Sequence, residues 1–155
     1  MKILMVCLGN ICRSPLAEGI LQEKINKRGL SAEVDSAGTA AYHVSEPPDP
    51  RSQEIASRNG IDISQQRARR FESADFDRFD KIYAMDYHNY SDIISKARNP
   101  NEAKKVEMIM DVMHPGEEID VPDPYYGGVN GFEKVYNMLD NCCELIVKMI
   151  AAGDK

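Results

Sequence analysis

Val6-Cys7-Leu8-Gly9-Asn10-Ile11-Cys12-Arg13-Ser14-Pro15 is the stretch that decides how this chain is read. Ahead of it, Ile3-Leu4-Met5-Val6 is an uninterrupted apolar run, the pattern of a parallel strand buried on both faces. Behind it, Pro15 can only begin a helix, and Ser14 stands where an N-cap belongs. Cys7 to Arg13 is therefore a loop that closes a strand and opens a helix. The N–H groups of such a loop converge with the unpaired N–H groups of the helix start and make an anion site. Gly9 lets the chain bend close to a ligand, and Asn10 tolerates the left-handed conformation. Cys7 at one end and Arg13 at the other set this loop apart from a plain phosphate cradle, because a cradle holding a thiol can attack what it binds.

At 155 residues, with 43% hydrophobic and 28% charged residues, the chain suits one soluble globular domain, 1–155. A net charge of −6 argues against nucleic-acid or membrane-surface binding, so an anion must be held by a local, directed positive site. No apolar run approaches the length of a membrane span, and the N-terminus lacks a signal-peptide pattern. Four cysteines in that setting suggest reduced thiols and a cytoplasmic location.

Working outward, helical spacing runs from Pro15 to about Arg28, stopped by Gly29, and Ala32–Ser36 is a second strand. Strand, helix and strand at this spacing form a βαβ unit, hence a parallel sheet. Asp49-Pro50 caps a short helix that closes at Asn59-Gly60. Arg67, Arg69 and Arg70 are either a solvated face or a docking patch for acidic partners. Asp80–Met85 predicts a third strand, which puts Asp86 at the sheet's ligand-binding edge, with a helix over Tyr87–Ala97. Val106–Met110 predicts the fourth strand. A Pro/Gly-rich loop over His114–Gly128 then leads to a long last helix with a cap-box-like start at Asn130 and Glu133.

The chemistry follows from residue types. A helix start, a ring of N–H groups and Arg13 all favour the anionic, nucleophilic form of Cys7. The same donors, from Leu8, Gly9, Asn10, Ile11, Cys12, Arg13 and Ser14, suit the oxygens of a transferring phosphoryl group, and Arg13 can grip two of them with its planar fork. Ser14 is placed to donate to a departing Cys7 sulfur. An alcohol or phenol leaving phosphorus needs a proton donor, and Asp123, held extended by Pro124, is the candidate general acid and then base. Tyr125 and Tyr126 could wall a slot for a flat leaving group. His43, His88 and His114 are scattered and no metal-ligand cluster is evident, so the site is expected to need neither metal nor cofactor.

These motifs together resemble the low-molecular-weight protein tyrosine phosphatase family. Cys7-Leu8-Gly9-Asn10-Ile11-Cys12-Arg13-Ser14-Pro15 is similar to its signature loop. Asp35-Ser36-Ala37-Gly38-Thr39, Met85-Asp86 and Asp123-Pro124-Tyr125-Tyr126 match further positions in order. The resemblance implies a three-layer αβα domain with a four-stranded parallel sheet of flavodoxin-like type. It implies Cys7 as nucleophile, Arg13 as transition-state binder and Asp123 as acid, with tyrosine-phosphorylated proteins as partners and phosphate or other oxyanions in the site. It also implies that Asn10, Ser14 and Ser36 support the loop, that Asp86 pairs with Arg13, and that Tyr42, Tyr125 and Tyr126 rim the slot. Relatives that hydrolyse phosphoarginine tend to carry threonine where Ile11 stands, so this residue favours phosphotyrosine. Where many relatives carry a histidine bonding toward the loop asparagine, this chain has Gln66.

Two other functions were open to the same loop. An arsenate reductase of this fold would need two more thiols after the third strand, and residues 80–100 contain none. A silent phosphotyrosine-binding module would be expected to lack the nucleophile or the acid. Cys142 and Cys143 sit mid-helix as small core residues. Cys12, on the loop curled around the same anion, is a candidate to form a protective disulfide with Cys7 after oxidation.

Overall fold

The computed structural model describes residues 1–126 and 128–153. Its centre is β1 (Lys2–Cys7), whose residues beyond Lys2 are all buried, as the apolar run requires. β1 pairs in parallel with β2 (Glu33–Gly38) on one side and β3 (Lys81–Ala84) on the other. β4 (Val106–Met108) joins β3, which gives a four-stranded parallel sheet in the order β2-β1-β3-β4. Strand order reverses between β1 and β3, so the loops leaving their carboxyl ends flank the crevice where open α/β sheets bind ligands.

Alternate residues of β1 enter opposite layers. Ile3, Met5 and Cys7 face a core built with α1 (Arg13–Lys27), α2 (Pro50–Arg58) and α6 (Gly128–Ala151). Leu4 and Val6 face a second core with Phe71, Phe76 and Ile93, which covers the other side with α3 (Asp75–Arg78) and α4 (Tyr87–Ile94). This is the three-layer αβα arrangement expected.

Several boundaries differ from the sequence pattern. Ser14 is not an N-cap: α1 begins at Arg13, its N-cap position is Cys12, and no side chain caps it. The Ser14 hydroxyl is committed to the loop interior instead, and Pro15 fits within the first turn, where its missing N–H has no helical partner to lose. β4 stops at Met108 and turns into a short 3₁₀ segment at Ile109–Val112. α4 ends at Ile94, and Asn99 caps a further turn, α5 (Pro100–Ala103), by accepting from the Glu102 N–H. α6 starts at Gly128, so Asn130 lies inside its first turn and is not a cap. The basic cluster is not one patch: Arg69 is tied to Asp35 and Asp75, and Arg67 donates to the Ser64 and Gln66 carbonyls.

Candidate active site

The loop after β1 is held from outside by its carbonyls. Thr39 N–H donates to the Cys7 carbonyl at 2.9 Å, Ala40 N–H to Leu8 at 3.0 Å and Asp49 N–H to Ile11 at 2.8 Å. Ser52 Oγ donates to the Cys12 carbonyl at 3.3 Å. In a planar trans peptide the N–H points opposite the C=O. Turning these carbonyls outward therefore aims the N–H groups of Leu8, Gly9, Cys12 and Arg13 toward the enclosed cavity. Gly38 makes room for this: a Cβ there would stand 2.7 Å from the Leu8 carbonyl oxygen. That close approach explains a glycine at the end of β2.

Asn10 forms the turn of the loop with φ at 58°, in the left-handed region, and is 3% exposed. Its Nδ2 donates to Ser14 Oγ at 2.8 Å and Ser36 Oγ at 2.9 Å, and its Oδ1 accepts from the Arg69 N–H at 3.1 Å. Ser14 Oγ lies 3.0 Å from Cys7 Sγ. Ser36 Oγ in turn donates to Glu18 Oε1 at 2.7 Å. Gln66 does not bond Asn10; its Nε2 donates to the Pro15 carbonyl at 3.1 Å, while the asparagine oxygen accepts from the Arg69 N–H.

Arg13 is buried beneath the cavity. Its Nη1 donates to Asp86 Oδ2 at 2.6 Å and to the Val121 carbonyl at 2.9 Å. Burial disfavours its charge, but the Cys7 sulfur, Asp86 and Asp123 outweigh this and hold the guanidinium above its ordinary range. Asp86 also caps α4, its Oδ1 accepting from the Asn89 N–H at 2.7 Å. One carboxylate thus fixes both the guanidinium and a helix start.

Asp123 comes from the loop that closes the crevice. Its Oδ2 is 3.9 Å from Arg13 Nη2, and its Oδ1 accepts from the Tyr125 N–H at 3.0 Å. The loop is tied to the residue that follows β3 by Val121 N–H donating to the Met85 carbonyl and to α4 by Tyr87 N–H donating to Asp120 Oδ1. Arg51 fastens its far end: its guanidinium carbon lies 5.3 Å from the Tyr125 ring centre and 4.7 Å from that of Phe132, and Asp49 pairs with it at 3.0 Å.

These groups enclose a slot of about 210 Å³. Among its lining residues Cys7, Cys12 and Arg13 are buried and so lie deepest, Gly9, Ile11 and His43 are half-buried, and Leu8, Tyr42, Asp123 and Tyr125 are exposed at its mouth. Tyr42 is 77% exposed and Tyr125 41%. The Tyr126 side chain lies outside the described residues. Cys12 is buried, and burial, then Asp49, push its thiol up to about 12. Cys142 and Cys143 lie in the α6 core, Cys143 Sγ against the Ala17 carbonyl, apart from the slot.

Of the sequence-predicted residues, Cys7, Leu8, Gly9, Ile11, Cys12, Arg13, Tyr42, Asp123 and Tyr125 line the slot, and Asn10, Ser14, Ser36 and Asp86 bond its loop and guanidinium. Sequence reasoning missed His43, Arg51 and the Val121 carbonyl. In the sequence His43 reads as one of three scattered histidines, although it sits next to Tyr42 in the rim segment. Nothing local marks Arg51 or Val121, because their roles arise only when α2 and the 114–126 loop meet.

A thiol on an N–H-lined cradle, a buried guanidinium clamped by a carboxylate and a second carboxylate over the mouth define a cysteine-dependent phosphatase. The chain belongs to the low molecular weight phosphotyrosine protein phosphatase family, whose model matches residues 2–154. It is similar to the low molecular weight phosphotyrosine protein phosphatase of Schizosaccharomyces pombe, with 40% identity over 153 residues and 97% of each chain covered. The crystal structure of YfkJ from Bacillus subtilis superposes with a TM-score of 0.92 at 38% identity, covering 100% of this chain and 97% of that one. A crystal structure of a drosophila arginine phosphatase gives 0.89 at 32% identity, covering 97% and 98%.

Proposed function

We propose that this chain is a protein-tyrosine phosphatase that hydrolyses phosphotyrosine in proteins, and small aryl phosphates, through a phosphocysteine intermediate. The convergence of Cys7, Arg13 and Asp123 on one slot carries this reading. Cys7 Sγ attacks phosphorus while the bond to the phenolic oxygen breaks, and Asp123 gives that oxygen its proton. Arg13 and the loop N–H groups hold the equatorial oxygens as charge spreads over them. In the second step the Asp123 carboxylate takes a proton from water, the water oxygen bonds phosphorus, and the S–P bond breaks. Ser14 receives the departing thiolate with a hydrogen bond, inorganic phosphate leaves, and Asp123 is again protonated.

Selectivity follows from depth. The reacting sulfur lies at the floor and the tyrosines stand at the mouth, so a phenyl ring spans a distance that a serine methylene does not. Ile11 on the wall suits a ring better than a guanidinium. The partners are tyrosine-phosphorylated proteins, with phosphate and other oxyanions as product and competitors and no role for nucleic acid or a membrane surface. Among the described residues no helix is long and apolar enough to cross a membrane, and four free cysteines suit a reducing cytoplasm.

The test is matched peptides bearing phosphotyrosine, phosphoserine or phosphoarginine, with Asp123→Asn beside the wild type. Phosphotyrosine should exceed the others by orders of magnitude in kcat/KM. Asp123→Asn should lose about 10²–10⁴-fold on phenyl phosphate and much less on aryl phosphates with acidic leaving groups. Equal rates on all three peptides would refute the slot geometry. Equal losses across leaving groups would refute Asp123 as proton donor.

A further inference from the structure

A line of side chains runs from the Cys7 sulfur, behind the loop, to a carboxyl group on α1 that takes no part in lining the slot. Its links are Cys7 Sγ to Ser14 Oγ at 3.0 Å, Asn10 Nδ2 to Ser14 Oγ at 2.8 Å and to Ser36 Oγ at 2.9 Å, and Ser36 Oγ to Glu18 Oε1 at 2.7 Å. The asparagine amide fixes the sense of this line. Both of its hydrogens are spent on hydroxyl oxygens, so each serine must send its own proton away from Asn10. The Ser14 proton is thereby directed to the sulfur and the Ser36 proton to Glu18. A carboxylate is the strongest acceptor at that end. A carboxylic acid would bring a proton of its own and compete with Asn10 for the Ser36 lone pairs. Asn10 holds a left-handed backbone, a conformation that persists only while its surroundings determine it.

We propose that Glu18 is a positioning residue of the phosphate loop: its carboxylate, acting through Ser36 and Asn10, holds the loop in its oxyanion-gripping shape, and protonation of Glu18 loosens that hold. The proposal rests on reading this loop as the oxyanion site of a phosphatase.

The surroundings make Glu18 titrate where this matters. Burial raises its pKa, the Ser36 hydrogen bond lowers it, Asp35 on β2 raises it and Arg69 lowers it; the sum is a carboxyl group pushed up to about 7. Glu23 and Asp62 line the cleft beside it and add no cation. Gln66 lies in the same cleft and brings no charge. Its buried Oε1 has no hydrogen-bond partner among the described residues.

The experiment compares wild type with Glu18→Gln, measuring kcat/KM on an aryl phosphate from about pH 5.5 to about pH 8.5. The ratio of the two profiles cancels titrations common to both. It should be near one at the acid end, where both side chains are neutral, and rise with a midpoint near 7. The plateau should be about 3–10-fold, the scale of one hydrogen bond. A flat or falling ratio would overturn the proposal. In a Ser36→Ala background, Glu18→Gln should change nothing as pH varies; a surviving inflection would equally overturn it. Ser36→Ala alone leaves α1 untouched, and the ratio of wild type to this variant must rise over the same range. Sulfate, a dianion throughout, reads the loop by calorimetry without turnover. If the wild type binds sulfate with this pH-dependent ratio yet hydrolyses nothing, the phosphatase reading fails and the role of Glu18 stands.

Discussion

Removing the Ser14 hydroxyl separates the two chemical steps. Ser14 is fully buried, 3.0 Å from the Cys7 sulfur, and accepts from Asn10 Nδ2 at 2.8 Å. Ser14→Ala deletes a hydrogen bond to a group that is anionic at the start of the first step and again at the end of the second. Hydrogen bonds to charged groups contribute about 1.5–3 kcal/mol, which corresponds to about 10–100-fold in rate. In the first step the loss is partly offset, because a less stabilised thiolate is a better nucleophile. In the second step there is no offset, since sulfur must leave. Steady-state kcat should therefore fall by the full factor, while the rate of phenol release in the first turnover falls by less. Rapid-mixing of enzyme with a chromogenic aryl phosphate should show a burst that grows in Ser14→Ala relative to wild type. The variant also leaves an Asn10 donor unpaired, costing about 1–3 kcal/mol of stability, which urea unfolding would register separately. Turnover within about twofold of wild type, or equal losses in burst and steady state, would refute this account of Ser14.

Glu18 should make stability depend on pH. Its folded pKa, about 7, lies above the ordinary carboxylate range, so the folded protein holds the proton longer than the unfolded chain. Stability is then lost as pH rises from the ordinary carboxylate range through about 7. After allowance for partial exposure, Glu18→Gln should gain about 2 kcal/mol on wild type across that window in chemical unfolding; no gain would refute the assignment. Stability would thus be traded for a loop held in shape. Peroxide should inactivate the enzyme with loss of two thiols, Cys7 and Cys12, and dithiothreitol should restore it, whereas Cys12→Ser should recover poorly. Because burial holds Cys12 protonated at neutral pH, the disulfide should form slowly and faster in alkali; full recovery of Cys12→Ser would return Cys12 to a packing role.

Most of the site was legible because its parts are local or are single residues at strand ends. Cys7 to Ser14 is one loop between a buried strand and a helix, and Ser36 and Asp86 stand at or next to the carboxyl ends of β2 and β3, the edge that a parallel sheet dedicates to ligands. What was not legible depends on meetings between distant segments. Ser14 looks like an N-cap until Asn10 and Cys7 claim its hydroxyl from opposite sides. Asn130 and Glu133 look like a cap box until the helix is seen to begin at Gly128. Arg69 looks like one charge of a basic run, and only the fold sets Asp35 and the fully buried Asp75 against it. Asn10 Oδ1 is matched to a backbone N–H of residue 69 and not to the Gln66 side chain, a distinction within three positions that side-chain chemistry does not announce.

The central claim is that phosphorus passes through the Cys7 sulfur. Asp123→Asn, impaired in activating water, should be mixed with a good-leaving aryl phosphate, quenched in acid within a turnover and digested for peptide mass analysis. A phosphoryl group on the peptide carrying Cys7, absent from Cys7→Ser treated identically, is the result predicted. An unmodified Cys7 during continuing turnover, or phosphate on another residue, would contradict it.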